Sequence, residues 1–295
     1  MAKDFDAMED SNRSLNPSIH EVCDPARRHL LRLGAGAAAA TLYAPLAASL
    51  GGCATPGGGA RLGFKGVPTT SADTLVVPEG YVAEPIAPWG EPVGIAGAMP
   101  AWKPDASNSA ADQAVQMGMH HDGMHYYALD GSRRGLLATN HEYVDDGLLH
   151  ADGFENWTAE KVRKSQAAHG VSVIEVELKG DAGSGGSAGW QMVRPSRYAR
   201  RFTAATPFAV GGPAAGHALL RTAADPQGRR VLGTFNNCAA GKTPWGTYLS
   251  GEENFAHYFD GGDKLDAHQQ RWGMKKSGFY RWAAHDERFD ATRHP

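Results

Sequence analysis

Residues 233–254 gather hard oxygen donors and one thiol around a single Gly/Pro-rich turn. The apolar run Val231 to Phe235 delivers Asn236, Asn237 and Cys238 to its end. The turn reverses the chain, and Thr247 to Leu249 delivers Glu252, Glu253 and Asn254. Strand, turn, strand with such donors near the strand ends is how a hairpin presents a metal site. A polar turn beside a buried cysteine would give the same pattern. Asn140-His141-Glu142 closes another apolar run and places amide, imidazole and carboxylate side by side. Carboxylates and amide oxygens suit Ca²⁺, Mg²⁺ or Fe³⁺, whereas a thiolate suits softer metals or iron. A mixed set is most simply explained by more than one metal. Such ions gather anions, and metals that hold a phosphate oxygen are a common solution for phosphoester hydrolysis. Arg200, Arg201 and Arg221 could neutralise phosphate oxygens, a solvated side chain being the simpler reading of each.

Five of the 13 histidines fall between His120 and His150. His120-His121-Asp122-Gly123-Met124-His125 packs three imidazoles and a carboxylate into six residues; His121 and His125 could share a helix face, but Gly123 and the following aromatics favour a turn entering a strand, where solvated histidines fit at least as well as metal binding. The glycine clusters at 183–189 and 211–212 lack the Lys and Ser/Thr of a phosphate-binding loop, and no Gly-x-Ser-x-Gly nucleophile elbow occurs.

The elements that must position these residues are short strands. Glycine is abundant (37 of 295) and its clusters separate short apolar runs, which suits an all-β fold. Structure is expected to begin at Thr74 to Val77 and Tyr81 to Ile86. Met124 to Leu129, Gly135 to Thr139, Val171 to Leu178 and Trp190 to Val193 then read as four successive antiparallel strands, one blade of a β-propeller. Arg230 to Phe235, Thr247 to Leu249 and Gly278 to Ala283 read as three runs of a second unit. Residues 137–143 and 249–255 can be laid over each other, about 110 residues apart, a long period for propeller blades. A helical insertion at Asn156 to Gln166, stopped by Gly170, falls between the second and third strands. There it is either a cap over a propeller mouth or a plain surface helix, the latter being the simpler reading. No closing strand follows Trp282, and two to three blades cannot close a ring. The sequence therefore reads as the amino-terminal portion of a longer propeller.

The front end reads as a targeting segment, residues 1–53. Arg27-Arg28-His29-Leu30-Leu31-Arg32 precedes the weakly apolar, Ala-rich run Gly34 to Leu50, resembling a twin-arginine export signal more than a membrane span. Leu50-Gly51-Gly52-Cys53 resembles a lipobox, and lipidation of Cys53 and ordinary cleavage both fit it. A membrane association is expected only through the signal or that lipid. Residues 54–72 read as a linker, and 73–295 as the partial propeller domain. Once Cys23 and Cys53 are removed or lipidated, Cys238 is the remaining free thiol. A formal charge of −3 gives no dominant basic face and argues against nucleic-acid binding.

The twin-arginine front, His-Asp-Gly-Met-His at 121–125, Ala-Thr-Asn-His-Glu-Tyr at 138–143, residues 158–170 and residues 236–254 together resemble the PhoX family. The resemblance covers most of 12–295. It implies an exported, periplasmic or extracellular alkaline phosphatase, folded as a six-bladed β-propeller with a cluster of iron (Fe³⁺) and calcium. It implies phosphate monoester substrates and passage through the twin-arginine export machinery. Cys238 is then an iron ligand, with Glu142, Glu252, Glu253 and Asn237 around iron and calcium, and His217 and Arg221 on the phosphate side. Gly251 stands where many relatives carry Cys. Relatives are roughly twice as long on a blade count, so the chain as given is expected to be inactive. The rival expectations are a non-catalytic exported propeller or lipoprotein that binds a partner, and a calcium-dependent propeller lactonase.

Overall fold

The computed structural model describes residues 63–180 and 189–293, in two compact units divided after Val82. Residues 63–82 hold no regular element, and Phe64 packs edge-on to Tyr81 within that segment. The expected strands at 74–77 and 81–86 do not form. The export signal and lipobox lie outside the described residues. No helix among the described residues is long and apolar enough to cross a membrane.

The second unit, from Ala83, starts with irregular chain and the short helix α1 (Ala110–Gln113), capped reciprocally by Ser109 and Asp112. Strands β1 (His121–Asp130) and β2 (Arg134–His141) form an antiparallel hairpin with His121 opposite His141 and Asp130 opposite Arg134. Gly131, at φ 50°, takes the left-handed conformation at their turn that glycine adopts at little cost. The one-turn helix α2 (Asp146–Leu149) follows, then α3 (Ala159–Ala168). The helix starts at Ala159 rather than Asn156, and Thr158 caps it by accepting a hydrogen bond from the Lys161 amide. Gly170, at φ 104°, ends the turn after it; a Cβ there would lie 2.1 Å from the Phe202 carbonyl oxygen. The surface-helix reading is corrected by packing: Val162, Ser165, Gln166, Ala167 and Ala168 of α3 are all buried.

Strand β3 (Gly170–Lys179) is the centre of the sheet. It pairs β2 on one side and both β4 (Gly189–Met192) and β5 (Arg200–Phe202) on the other, all antiparallel. The four predicted strands therefore form in the expected consecutive order, with β5 as an addition. Because β3 is covered on both faces, Val171, Ile174 and Val176 are all buried despite their mixed parity.

The second set of strands departs from expectation. β6 (Thr206–Ala209) pairs β7 (Arg230–Gly233), and β8 (Asn237–Lys242) pairs β9 (Tyr248–Glu252), as two separate hairpins. The run Val231 to Phe235 is thus not the partner of 247–249; the chain turns at Asn236, with φ 51°, and a new strand starts at Asn237. After the short helix α4 (Ala267–Arg271), residues 278–283 carry no ladder. Their alternation is real, since Tyr280 and Trp282 are buried and Phe279 is exposed, but no strand lies alongside to pair them. Instead Trp282 and Tyr280 join Phe235, Tyr258 and Phe289 in an aromatic core against α3. The unit is mostly β with antiparallel sheets and few helices.

Candidate metal centre

Two β-bulges meet to build the site. The β1–β2 ladder slips between His121 and Met124, and the β8–β9 ladder slips between Asn237 and Ala240. A bulge releases residues from the ladder and re-aims their side chains. Here it releases Asp122 and Gly123 on one strand and Cys238 and Ala239 on the other. Gly123 is what lets the bulges touch: a Cβ on it would lie 2.5 Å from the Cys238 carbonyl oxygen and 2.6 Å from the Ala240 Cβ. As a result Asp122, Glu142 and Cys238 offer ligand atoms that all lie within 4.8 Å of one another. Glu253, just past β9, brings its carboxylate onto the Cys238 thiol as well.

The electrostatics of this group ask for a cation. The Cys238 thiol is pushed up to about 12, first by its hydrogen bond to Asp122 and then by that to Glu253. Glu142 is raised by burial and by the neighbouring charges of Asp122 and Glu253. Three carboxylates crowd one thiol, and among the described residues no Lys, Arg or His forms an ion pair with Asp122, Glu142 or Glu253. Like charges at this spacing each disfavour the ionised state, and a bound cation would reverse that. The donor set of hard oxygens with one thiolate fits iron together with a harder ion.

The frame around the centre is polar and buried. Asn140 on β2 and Glu142 just past its end share a parity, whereas His141 points to the opposite side. His141 is fully buried, with Nε2 2.6 Å from Ser172 Oγ, and burial holds its pKa well below the ordinary histidine range. Of Asn140-His141-Glu142, only Glu142 therefore reaches the carboxylate cluster. The three histidines upstream are likewise dispersed: His120 stacks on Tyr143 at 3.7 Å, His121 meets the edge of His141, and His125 meets the edge of Tyr127. Asn236 clamps the hairpin ends, accepting the Asn254 amide at Oδ1 (2.5 Å) and the Glu253 amide at its carbonyl (2.9 Å).

The structure thus brings together Glu142, Cys238 and Glu253 of the predicted ligands. Glu252 is placed elsewhere: its Oε1 accepts from Thr234 Oγ1 (2.6 Å) and the Phe235 amide (3.2 Å). Asn237 donates to Thr234 Oγ1 and Ser250 Oγ, while its buried Oδ1 has no hydrogen-bond partner. His217 caps the turn Ala218–Leu220, and Arg221 donates to the Gly216 carbonyl; both are exposed and neither is tied to the cluster. Arg201 is not free to hold phosphate. It is half-buried and donates to the carbonyls of Gln116, Ala167, Val171 and Phe202, and desolvation lowers its pKa to about 9. Arg200 is likewise engaged, by the Arg197 and Ala199 carbonyls. Asp122 belongs to the His120 to His125 cluster but is not singled out there as a ligand; pairing His121 with His141 sets it opposite Asn140, and the bulge after His121 brings it to Glu142.

A family model described as alkaline phosphatase PhoX matches residues 62–295. The chain belongs to the PhoX alkaline phosphatase family. A solved structure described as Pseudomonas fluorescens PhoX in complex with vanadate, a transition state analogue, is 43% identical, with a TM-score of 0.72. The match covers 79% of this chain and 40% of that PhoX chain, so this chain spans less than half the length of its solved relative. A comparison with curated proteins yields no match. Both bulges, Gly123 and the cluster fall inside the stretch that matches the PhoX family model.

Proposed function

We propose that the protein is a metal-dependent phosphomonoester hydrolase, an alkaline phosphatase that releases inorganic phosphate outside the cytoplasm. The observation that carries the reading is the convergence of Asp122, Glu142 and Cys238 from strands about a hundred residues apart in a PhoX-family chain. Iron and calcium are the proposed metals, and a six-bladed β-propeller the proposed architecture of the whole protein. Export by the twin-arginine route belongs to the same proposal, with either a lipid or ordinary cleavage at Cys53.

Bound cations would polarise the phosphoryl oxygens and activate the attacking nucleophile. The chain's own residues make the place for them. To hold a metal Cys238 would give up its proton, and the carboxylates of Asp122 and Glu253 that face the thiol would then be free as donors. Asp122, Glu142 and Glu253 supply hard oxygens, and Asn237 Oδ1 and the second oxygen of Glu252 are further proposed donors. Without cations this acidic surface repels a phosphate dianion, so substrate binding and metal loading are linked. His217 and Arg221, on an exposed loop, are proposed for the phosphate side. The vanadate bound by the Pseudomonas protein mimics a transition state, and the same anion is expected to inhibit this enzyme.

The test is Cys238→Ala in the metal-loaded protein. Iron content and turnover of p-nitrophenyl phosphate should fall together, and a variant that keeps full turnover overturns the reading. A folded wild type with no iron or calcium by elemental analysis would instead favour a non-catalytic binding protein.

A further inference from the structure

Asn140 sits one turn of the pleat before Glu142 and is fully buried. Its Nδ2 donates to the carbonyl of Cys238 at 2.9 Å and to that of Ala239 at 3.3 Å, 98 and 99 residues away. Its Oδ1 accepts from Ser250 Oγ at 2.9 Å and lies 2.9 Å from Tyr248 Oη, which is also 2.8 Å from the Gly123 carbonyl. Both N–H groups of this amide are engaged, and its Oδ1 takes the Ser250 hydroxyl and competes with the Gly123 carbonyl for the single Tyr248 proton. Its partners are the bulge that carries Cys238, the opposite strand of that hairpin, and the bulge that carries Asp122. Ser250 Oγ in turn accepts from Asn237 Nδ2, extending the network along the hairpin.

We propose that Asn140 is a positioning residue that fixes the Cys238 sulfur relative to Asp122 and Glu142. A bulge breaks ladder hydrogen bonds, so the carbonyls of Cys238 and Ala239 need another donor. Only an amide of this length offers two N–H groups to them and two acceptor sites to the hydroxyls behind. Aspartate keeps the shape but turns two donors into acceptors facing two carbonyl oxygens, so Asn140→Asp pushes the Cys238 bulge away. The inference rests on the metal-centre reading above. Outer residues that orient ligands are typically worth about 10–100-fold in metal affinity.

The test uses cobalt(II) alone, added to the protein after its metals are removed. The readouts are the cobalt–thiolate charge-transfer band and the cobalt dissociation constant, with circular dichroism confirming the fold. Asn140→Asp should lose most of the band and bind cobalt about 10–100-fold more weakly. Ser250→Ala, which removes one group holding Oδ1, should weaken binding about fivefold, the worth of one hydrogen bond. It decides the matter if Asn140→Asp does not fold. Val176→Ala, buried toward the other end of the same sheet, should leave cobalt affinity within about twofold. A folded Asn140→Asp with a wild-type band and affinity overturns the positioning role while leaving the metal centre intact, as does Ser250→Ala at wild-type affinity. A wild-type protein that shows no cobalt–thiolate band overturns the metal centre, and Asn140 with it.

Discussion

Gly123→Ala is the substitution with the most to say about the centre. The added methyl would meet the Cys238 carbonyl oxygen at 2.5 Å, the Ala240 Cβ at 2.6 Å and the Ala240 nitrogen at 2.8 Å. Carbon–carbon contacts settle near 3.5–4.0 Å, so the two bulges must separate by about 1 Å. None of the three obstacles is the end of a flexible side chain, and the strain falls on the backbone. Overpacking of this kind costs about 1–3 kcal/mol of stability. The effect on chemistry should be larger, because metal–ligand distances tolerate only about 0.2 Å, and a 1 Å misplacement costs about 100-fold in rate. Gly241→Ala is the matched control: it lies in the same hairpin, with no atom within 4 Å of the added methyl. Elemental analysis, thermal melting and p-nitrophenyl phosphate turnover should show Gly123→Ala folded but depleted in metal and strongly impaired, and Gly241→Ala close to wild type. A Gly123→Ala protein with full metal content and turnover would refute the idea that contact between the bulges sets the ligand geometry.

Two further expectations concern pH. In the metal-free protein the Cys238 thiol should resist alkylation by iodoacetamide until the pH approaches 12, since the carboxylates hold its proton. Asp122→Asn should shift that midpoint down, and a wild-type midpoint near the ordinary thiol value would contradict the arrangement. His169 is fully buried, with Nε2 3.0 Å from Tyr258 Oη, and burial lowers its pKa from 6.5 to about 3. Its depressed pKa means that the unfolded chain binds the extra proton first, so stability is lost as pH falls below 6.5 and the loss continues toward 3. From pH 6.5 to 5 the loss attributable to this group is about 2 kcal/mol. Urea titrations at the two pH values should show it, and an unchanged midpoint would count against a neutral buried imidazole.

The hairpin tips were the most legible part of the chain. Alternating apolar residues located β1 to β4 to within a few residues, because each strand is bounded by glycine or polar turns. The helix at 159–168 was legible from its formers and its glycine stop, but its burial was not: the Ser165, Gln166 and Lys164 face looks solvated until Trp282 Nε1 donates to Ser165 and Asp286 accepts from Gln166. The pairing of β8 with β9 was misread because Phe235 looks like the middle of a strand, whereas the left-handed Asn236 breaks it there. That one residue shifts Cys238 from the end of a strand to its start. Asp122 is visible in the histidine cluster but its role as a ligand is not, since that depends on register and on a bulge, and neither is written in composition. Arg201 carries no signal of its engagement, because its partners are all backbone carbonyls.

The centre draws on Asp122 and Glu142 from one sheet and on Cys238 and Glu253 from a hairpin made much later. A nascent chain holds the first pair long before the second emerges, and neither pair alone collects both sulfur and enough oxygens to retain an ion. In the proposed centre, metal capture would therefore follow docking of β8 onto β1, which would make a loaded ion a witness that this long-range closure has taken place. Depleting the metal should accordingly loosen the late hairpin before the early sheet, and amide exchange would show the order of release.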